Sequence, residues 1–161
     1  METMSCRWCG RVKENLLLHE FDPHISAVNF MTHKIRIQTN AAPPATGTYT
    51  QAIRTGNLVF VTGQTGRNPD TSKLEDGLEA QTDRVFSNIT AVLNAAGCSP
   101  GGIVKATLIL DDMKDFKKVD QMYAAWLPDD RVVCNPARLV FEADLPHEAL
   151  VMLDVVATYP S

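Results

Sequence analysis

Arg138 stands alone in Asn135-Pro136-Ala137-Arg138-Leu139-Val140-Phe141-Glu142, a single guanidinium among apolar residues. Arginine stays charged at any working pH, and its flat fork of donors matches a carboxylate with two parallel hydrogen bonds. A charge in apolar surroundings needs a partner, because an unpaired buried charge is expensive. The partner is either an acidic side chain of the chain itself or an anionic ligand.

The other reactive residue types compete less well. Cys6-Arg7-Trp8-Cys9 has the spacing of a zinc knuckle, but a structural site needs four ligands and no second cysteine pair follows. His19 and His24 are the remaining ligand types nearby, and the chain is read as holding no metal. Cys134 precedes the Pro-Ala-Arg turn without a neighbouring histidine and reads as a small buried hydrophobe. Cys98 falls at a helix C-terminus, where the dipole raises a thiol pKa, so it reads as inert. His147 reads as an exposed turn residue, and Gly63, followed by Gln64, as a point of close backbone approach. Trp126 reads as core or as the wall of a pocket.

The whole chain narrows the classes. Its 161 residues suit one domain with a single core. The balance of 15 basic against 19 acidic residues gives −4 with no Lys/Arg cluster, which argues against a nucleic-acid surface. No apolar run approaches the roughly 20 residues that span a bilayer. Four cysteines are too few for a disulfide scaffold, so a cytoplasmic setting is expected. Residues 1–33 show no periodic apolar face and read as an extension upstream of a domain at 34–161, with Met31 a plausible natural start.

Within 34–161, strands are expected over Lys34–Thr39, Tyr49–Arg54 and Leu58–Gln64, with Thr55-Gly56-Asn57 as a turn. A loop follows from Gly66 to Gly77. Leu78, Val85, Phe86, Ile89, Val92, Leu93 and Ala96 then recur at helical spacing, and Gly97 sits where a C′ glycine belongs. A strand is expected at Ile103–Leu110. Asp112, with Asp115 in the capping-box position, starts a second helix carrying Phe116, Val119, Met122, Tyr123 and Trp126 on one face. Two closing strands, Ala137–Ala143 and Ala149–Ala157, flank Leu145-Pro146-His147 as a hairpin. The order β-β-β-α-β-α-β-β is α+β: a mixed sheet with two helices on one face. Val59, Val61, Leu108, Val151 and Val155 are read as making the sheet's second face too apolar for water, which predicts an oligomer.

From Asn40 to Tyr159 these segments resemble the RidA/YjgF family. The resemblance rests on Ala42-Pro43-Pro44-Ala45-Thr46-Gly47-Thr48-Tyr49-Thr50-Gln51-Ala52, Val59-Phe60-Val61-Thr62-Gly63-Gln64, Ala80-Gln81-Thr82 and Ala95-Ala96-Gly97. Val104-Lys105-Ala106-Thr107, Asp112-Met113-Lys114-Asp115-Phe116, Tyr123 and Pro136-Ala137-Arg138 complete it. It implies a chorismate-mutase-like fold assembled as a homotrimer, with a small-molecule cleft at each subunit interface. It also implies hydrolysis of reactive 2-imino and enamine acids to 2-keto acids and ammonia, without cofactor. Arg138 would hold the substrate carboxylate, Tyr49 and Thr62-Gly63-Gln64 would shape the pocket, and Trp126 would be part of its wall. Catalytic roles are thus expected for Arg138 and Tyr49, and substrate contacts for Arg138, Gly63, Gln64, Val140, Met152 and Trp126.

The sequence departs from the family where water should be activated. Counting from Leu145-Pro146, the position of the deaminase glutamate holds Met152, and the Cys/Ser/Thr two residues after the arginine is Val140. The segment between Arg138 and Leu145 is one residue shorter than usual. A thioether neither accepts a proton at neutral pH nor orders water as a carboxylate does. Asp154, Glu142 and Glu148 are the candidate substitutes, with Glu142 also a candidate ion-pair partner for Arg138. Four functions stay open: an imine deaminase of altered or weak activity, a cofactor-free enzyme that cyclises or tautomerises another unstable intermediate, a non-catalytic carboxylate-binding regulator, and, least favoured by charge, an RNA-cleaving protein.

Overall fold

The structure, a computed structural model, describes residues 34–128 and 134–159. The expected extension at 1–33 lies outside those residues, as do Cys6, Cys9, His19 and His24. The strands are β1 (Ile35–Ile37), β2 (Ala52–Thr55), β3 (Leu58–Thr65), β4 (Ile103–Leu110), β5 (Ala137–Glu142) and β6 (Val151–Thr158). The helices are α1 (Gly77–Ala95) and α2 (Phe116–Trp126), so the expected element order and the α+β class both hold.

The six strands lie in the order β1-β2-β3-β6-β4-β5, antiparallel except for the parallel pair β4–β5. This corrects the expected closing hairpin. β5 and β6 are separated by β4, and Pro146–Glu148 forms a short helical turn in a crossover between them. His147 and Glu148 both adopt positive φ there.

Alternation decides which side chains meet the helices. Val59, Val61, Ala106, Leu108, Leu110, Val151, Leu153, Val155 and Ala157 are buried against Val85, Ile89, Val92 and Leu93 of α1 and Val119 of α2. Val59, Val61, Leu108, Val151 and Val155 therefore form the core, not the second sheet face. Period-2 alternation identifies two faces but cannot say which one the helices cover. The bare face carries other apolar residues instead. Phe60 is 45% exposed, Leu139 53% and Phe141 41%. These three residues, not the expected five, are apolar side chains that the bare face leaves in water.

The ends of α1 are tightly specified. Gly97 has φ +76°, and the bonds from Gly97 N–H to Asn94 O and from Cys98 N–H to Leu93 O close the helix as a Schellman motif. Burial is what pushes the Cys98 thiol up, with Arg54 pulling weakly the other way. At Gly66 a Cβ would lie 2.5 Å from Gln81 Cβ and 2.6 Å from Gln81 Cα, so only glycine lets this strand end touch α1. Gly66→Ala is expected to cost about 1–3 kcal/mol in urea unfolding, the scale of core overpacking. Unchanged stability would mean that α1 moves freely at this contact.

The capping of α2 differs from expectation. Asp112 accepts from Lys114 N–H at 2.8 Å and so caps the 3-10 turn Met113–Asp115, while Asp115 makes no side-chain cap bond. On α2 itself the expected apolar face is present: Val119 and Tyr123 are buried, and Phe116, Met122 and Trp126 pack beside them.

Candidate active site

One cleft opens at the end of the bare sheet face. Its lining includes Tyr49, Thr62, Gly63, Gln64, Ile109, Met152 and Asp154, with Arg67 and His147 at further positions. A bulge makes it. Val61 pairs with Val155 and Gln64 with Leu153, so β3 uses one residue more than β6 over this stretch. Gly63 falls in the bulge, and a Cβ there would meet Met152 Sδ at 2.9 Å. The thioether thus lies over the glycine backbone, in the space its missing side chain leaves.

Tyr49 is not on a strand, because β2 begins only at Ala52. Its exposed ring stands on the segment that leads into β2, and its hydroxyl accepts weakly from Thr46 N–H at 3.4 Å. Gln51 anchors that segment. Buried, it accepts from Thr39 N–H at 2.7 Å and donates to the carbonyls of Thr39, Ala42 and Pro43. Gln64 is also buried, donating to Thr62 O at 3.3 Å. Asp154 shares a face with Met152 two residues further along β6, about 6–7 Å away.

Arg138 lies elsewhere in the chain. It pairs across the ladder with Ala106, which is buried under the helices and itself pairs with Val155. Met152 lies in the row of Ile109 and Phe141, on the opposite face. The guanidinium is therefore separated from its own cleft by the thickness of the sheet and by three residues along it. It meets α2 instead. Arg138 Nη2 donates to Asp120 Oδ1 at 2.6 Å, and the guanidinium carbon sits 4.8 Å from the Tyr123 ring centroid. The acidic partner within the chain is Asp120, not Glu142, whose carboxylate accepts from Met113 N–H at 2.7 Å. Glu142 and Glu148 do not line the cleft, which leaves Asp154 as its one carboxylate among the described residues. Burial pushes the Tyr123 phenol up, with Arg138 pulling it down, and the Tyr123 hydroxyl has no hydrogen-bond partner among the described residues.

Val140 and Trp126 also lie outside the cleft of their own chain. Val140 packs against the core on the helix side. Trp126 stacks on Phe86 at 4.7 Å between centroids, and its indole N–H donates to Thr90 Oγ1 at 3.0 Å, so it clamps α2 to α1. Cys134 is exposed and borders a separate depression with Pro100 and Pro136, which corrects its reading as a buried hydrophobe near the pocket. Arg67, expected only as part of a loop, lines the cleft, and His147 is the exposed turn residue expected and lines the cleft as well. A strand end followed by a long loop gives no periodic signal, and only the fold brings residues 67 and 147 to one cleft.

A mixed six-stranded sheet with two helices on one face and a bulge-formed cleft on the other defines an α+β domain with a preformed site. The sequence profile described as "Endoribonuclease L-PSP" matches residues 39–159. The chain is 38% identical over 124 residues to "Reactive Intermediate Deaminase A, chloroplastic" of Arabidopsis thaliana, covering 76% of this chain and 64% of that protein's length. It is 34% identical over 121 residues to the "2-iminobutanoate/2-iminopropanoate deaminase" of Escherichia coli K12, covering 75% and 94%. The crystal structure of RidA from Psychrobacter sp. PAMC 21119 superposes with a TM-score of 0.72 at 37% identity, covering 77% of this chain and 98% of that one. Escherichia coli TdcF with bound serine gives 0.74 at 29%, covering 79% and 100%. The chain belongs to the RidA/YjgF family. No described helix is long and apolar enough to cross a membrane.

Proposed function

We propose that this protein hydrolyses reactive 2-imino and enamine acids to 2-keto acids and ammonia, without cofactor, at a site shared between neighbouring subunits of a homotrimer. The observation that carries the reading is the division of the site residues: Tyr49, Gly63, Gln64 and Met152 share one cleft, while Arg138 faces away from it on the far side of the sheet. A symmetric ring of chains can set Arg138 of one subunit at the cleft of the next. Such an assembly would also cover Phe60, Leu139 and Phe141, which a lone chain leaves in water.

In this site Arg138 holds the substrate carboxylate, and Tyr49 with the Gly63 bulge presents the imine carbon to water. Water adds to the C=N bond, the resulting carbinolamine loses ammonia, and the C=O of the keto acid remains. Met152 supplies no base for the addition. Asp154 is the nearest carboxylate, one residue pair along the strand, so turnover is slow relative to glutamate-bearing relatives. Orientation by Arg138 still accelerates an addition that is intrinsically easy.

A second reading draws support from Asp120, which already neutralises Arg138. A guanidinium with a resident partner suits reversible ligand binding, as in a carboxylate-sensing regulator or an enzyme that tautomerises or cyclises its substrate. RNA cleavage fits less well with a net charge of −4 and no basic cluster.

The test is ammonia release when the purified protein is coupled to an enzyme that generates 2-aminoacrylate. Release above the buffer rate is expected, and release equal to it would leave only the second reading. Sedimentation of the protein at micromolar concentration is expected to give a trimer. A stable monomer would remove the shared site altogether.

A further inference from the structure

Arg67 lines the cleft, and the hydrolysis of a simple imino acid gives its guanidinium no task. Its backbone is held firmly. Asn88 Nδ2 donates to Thr65 O at 3.1 Å and to Arg67 O at 2.9 Å. Glu75 N–H closes on Gly66 O at 2.9 Å, and Arg67 bridges to Leu74. Gly66 itself is pressed on α1 through Gln81, whose Oε1 accepts from Leu150 N–H at 2.9 Å just before β6. Arg67 is thus carried on a rigid strand end rather than on a free loop, as a preorganised binding group should be.

Among the described residues its charge has no ion-pair partner. The ion pairs among the described residues are Arg84–Glu75, Lys114–Asp112, Lys118–Glu79 and Arg138–Asp120. Arg67 is in none of them, although Asp154 lines the same cleft. His147, held with φ +61° in the crossover, adds a ring N–H donor to the lining. With Met152 in place of a carboxylate, the cleft lining holds Arg67 without an ion-pair partner among the described residues, and a cation in a concave site draws anions.

We propose that Arg67, with His147, forms a second anion subsite, so that the substrate class is a 2-imino or 2-keto acid carrying a second carboxylate on its side chain. This rests on the reading of Arg138 as the grip on the first carboxylate. A single guanidinium fork suits a monoanionic carboxylate. A phosphate dianion would face the Asp154 carboxylate with fewer cations than it needs. Arg67 is then a specificity-determining residue: it selects among substrates without taking part in the addition of water.

The experiment is calorimetric titration of the full-length protein with 2-oxobutyrate, 2-oxoglutarate and phosphoenolpyruvate, in the wild type, Arg67→Gln, Arg67→Lys and Arg138→Ala. Wild type should bind 2-oxoglutarate about tenfold or more tighter than 2-oxobutyrate, the scale of one added charged hydrogen bond. Arg67→Gln should abolish that preference while leaving 2-oxobutyrate binding unchanged, and Arg67→Lys should restore part of it. Equal binding of the two keto acids by wild type, or a preference that survives Arg67→Gln, would overturn the subsite while leaving Arg138-dependent binding intact. Tightest binding of phosphoenolpyruvate would overturn the assignment to a second carboxylate. Keto-acid binding indifferent to Arg138→Ala would instead overturn the reading beneath it.

Discussion

Met152→Glu is expected to raise ammonia release from 2-aminoacrylate by on the order of 10²-fold, the low end of what a positioned general base contributes. The thioether lies over Gly63 in the cleft lining. Glutamate has nearly the same reach, so its carboxylate would replace the sulfur over the Gly63 backbone. Gain should require the charge: Met152→Gln, of the same shape, should leave the rate unchanged. The gain should also fade as the pH falls toward the carboxylate's range near 4.3. Two results count against the account. Wild-type turnover equal to that of the glutamate variant would mean that Asp154 already orders the water. A gain in the glutamine variant would mean that the effect is one of space.

Arg138→Ala is expected to weaken binding of small 2-keto acids by about 1.5–3 kcal/mol, the worth of hydrogen bonds to a charged group. The folded state should hardly notice. The ion pair with Asp120 is partly exposed, with side chains 23% and 43% accessible, and exposed pairs of this kind contribute about 0–1 kcal/mol. Binding should therefore fall while the melting temperature stays within a few degrees. The opposite pattern, a large loss of stability with unchanged ligand affinity, would make Arg138 a structural residue whose partner is Asp120 alone.

The question posed by the sequence at Arg138, protein acid or anionic ligand, was well framed but could not be answered there. Asp120 is on helix α2, 18 residues from Arg138 on β5, and nothing in the local pattern ties the two. Helix α1 was legible because its apolar residues recur with one period and end at a C′ glycine. The strands were legible as strands, but their neighbours were not. β5 and β6 look like a hairpin because they adjoin in sequence, whereas β4 separates them. The register across β4, Arg138 to Ala106 to Val155, is what puts Arg138 and Met152 on opposite faces. The bulge at Gly63 was likewise invisible, since one extra residue in β3 shows only against the register of β6. Residues chosen through the family motif, Tyr49, Gly63, Gln64 and Met152, share the cleft. Trp126 and Val140 proved to be packed against the helices of their own chain. The outcome has one physical cause: local periodicity fixes which residues alternate, and long-range pairing fixes what they face.

The shared site is tested most directly by mixing two chains that each lack one half of it. Arg138→Ala removes the carboxylate grip, and Gly63→Leu fills the cleft beside Met152. Each variant alone should be inactive toward 2-aminoacrylate. Chains unfolded together in equal amounts and refolded should recover about one quarter of wild-type ammonia release, because in a head-to-tail ring about one interface in four joins an intact Arg138 to an intact cleft. No recovery, from mixed trimers verified to have formed, would place Arg138 and the cleft in a single chain's site or leave the arginine outside the chemistry.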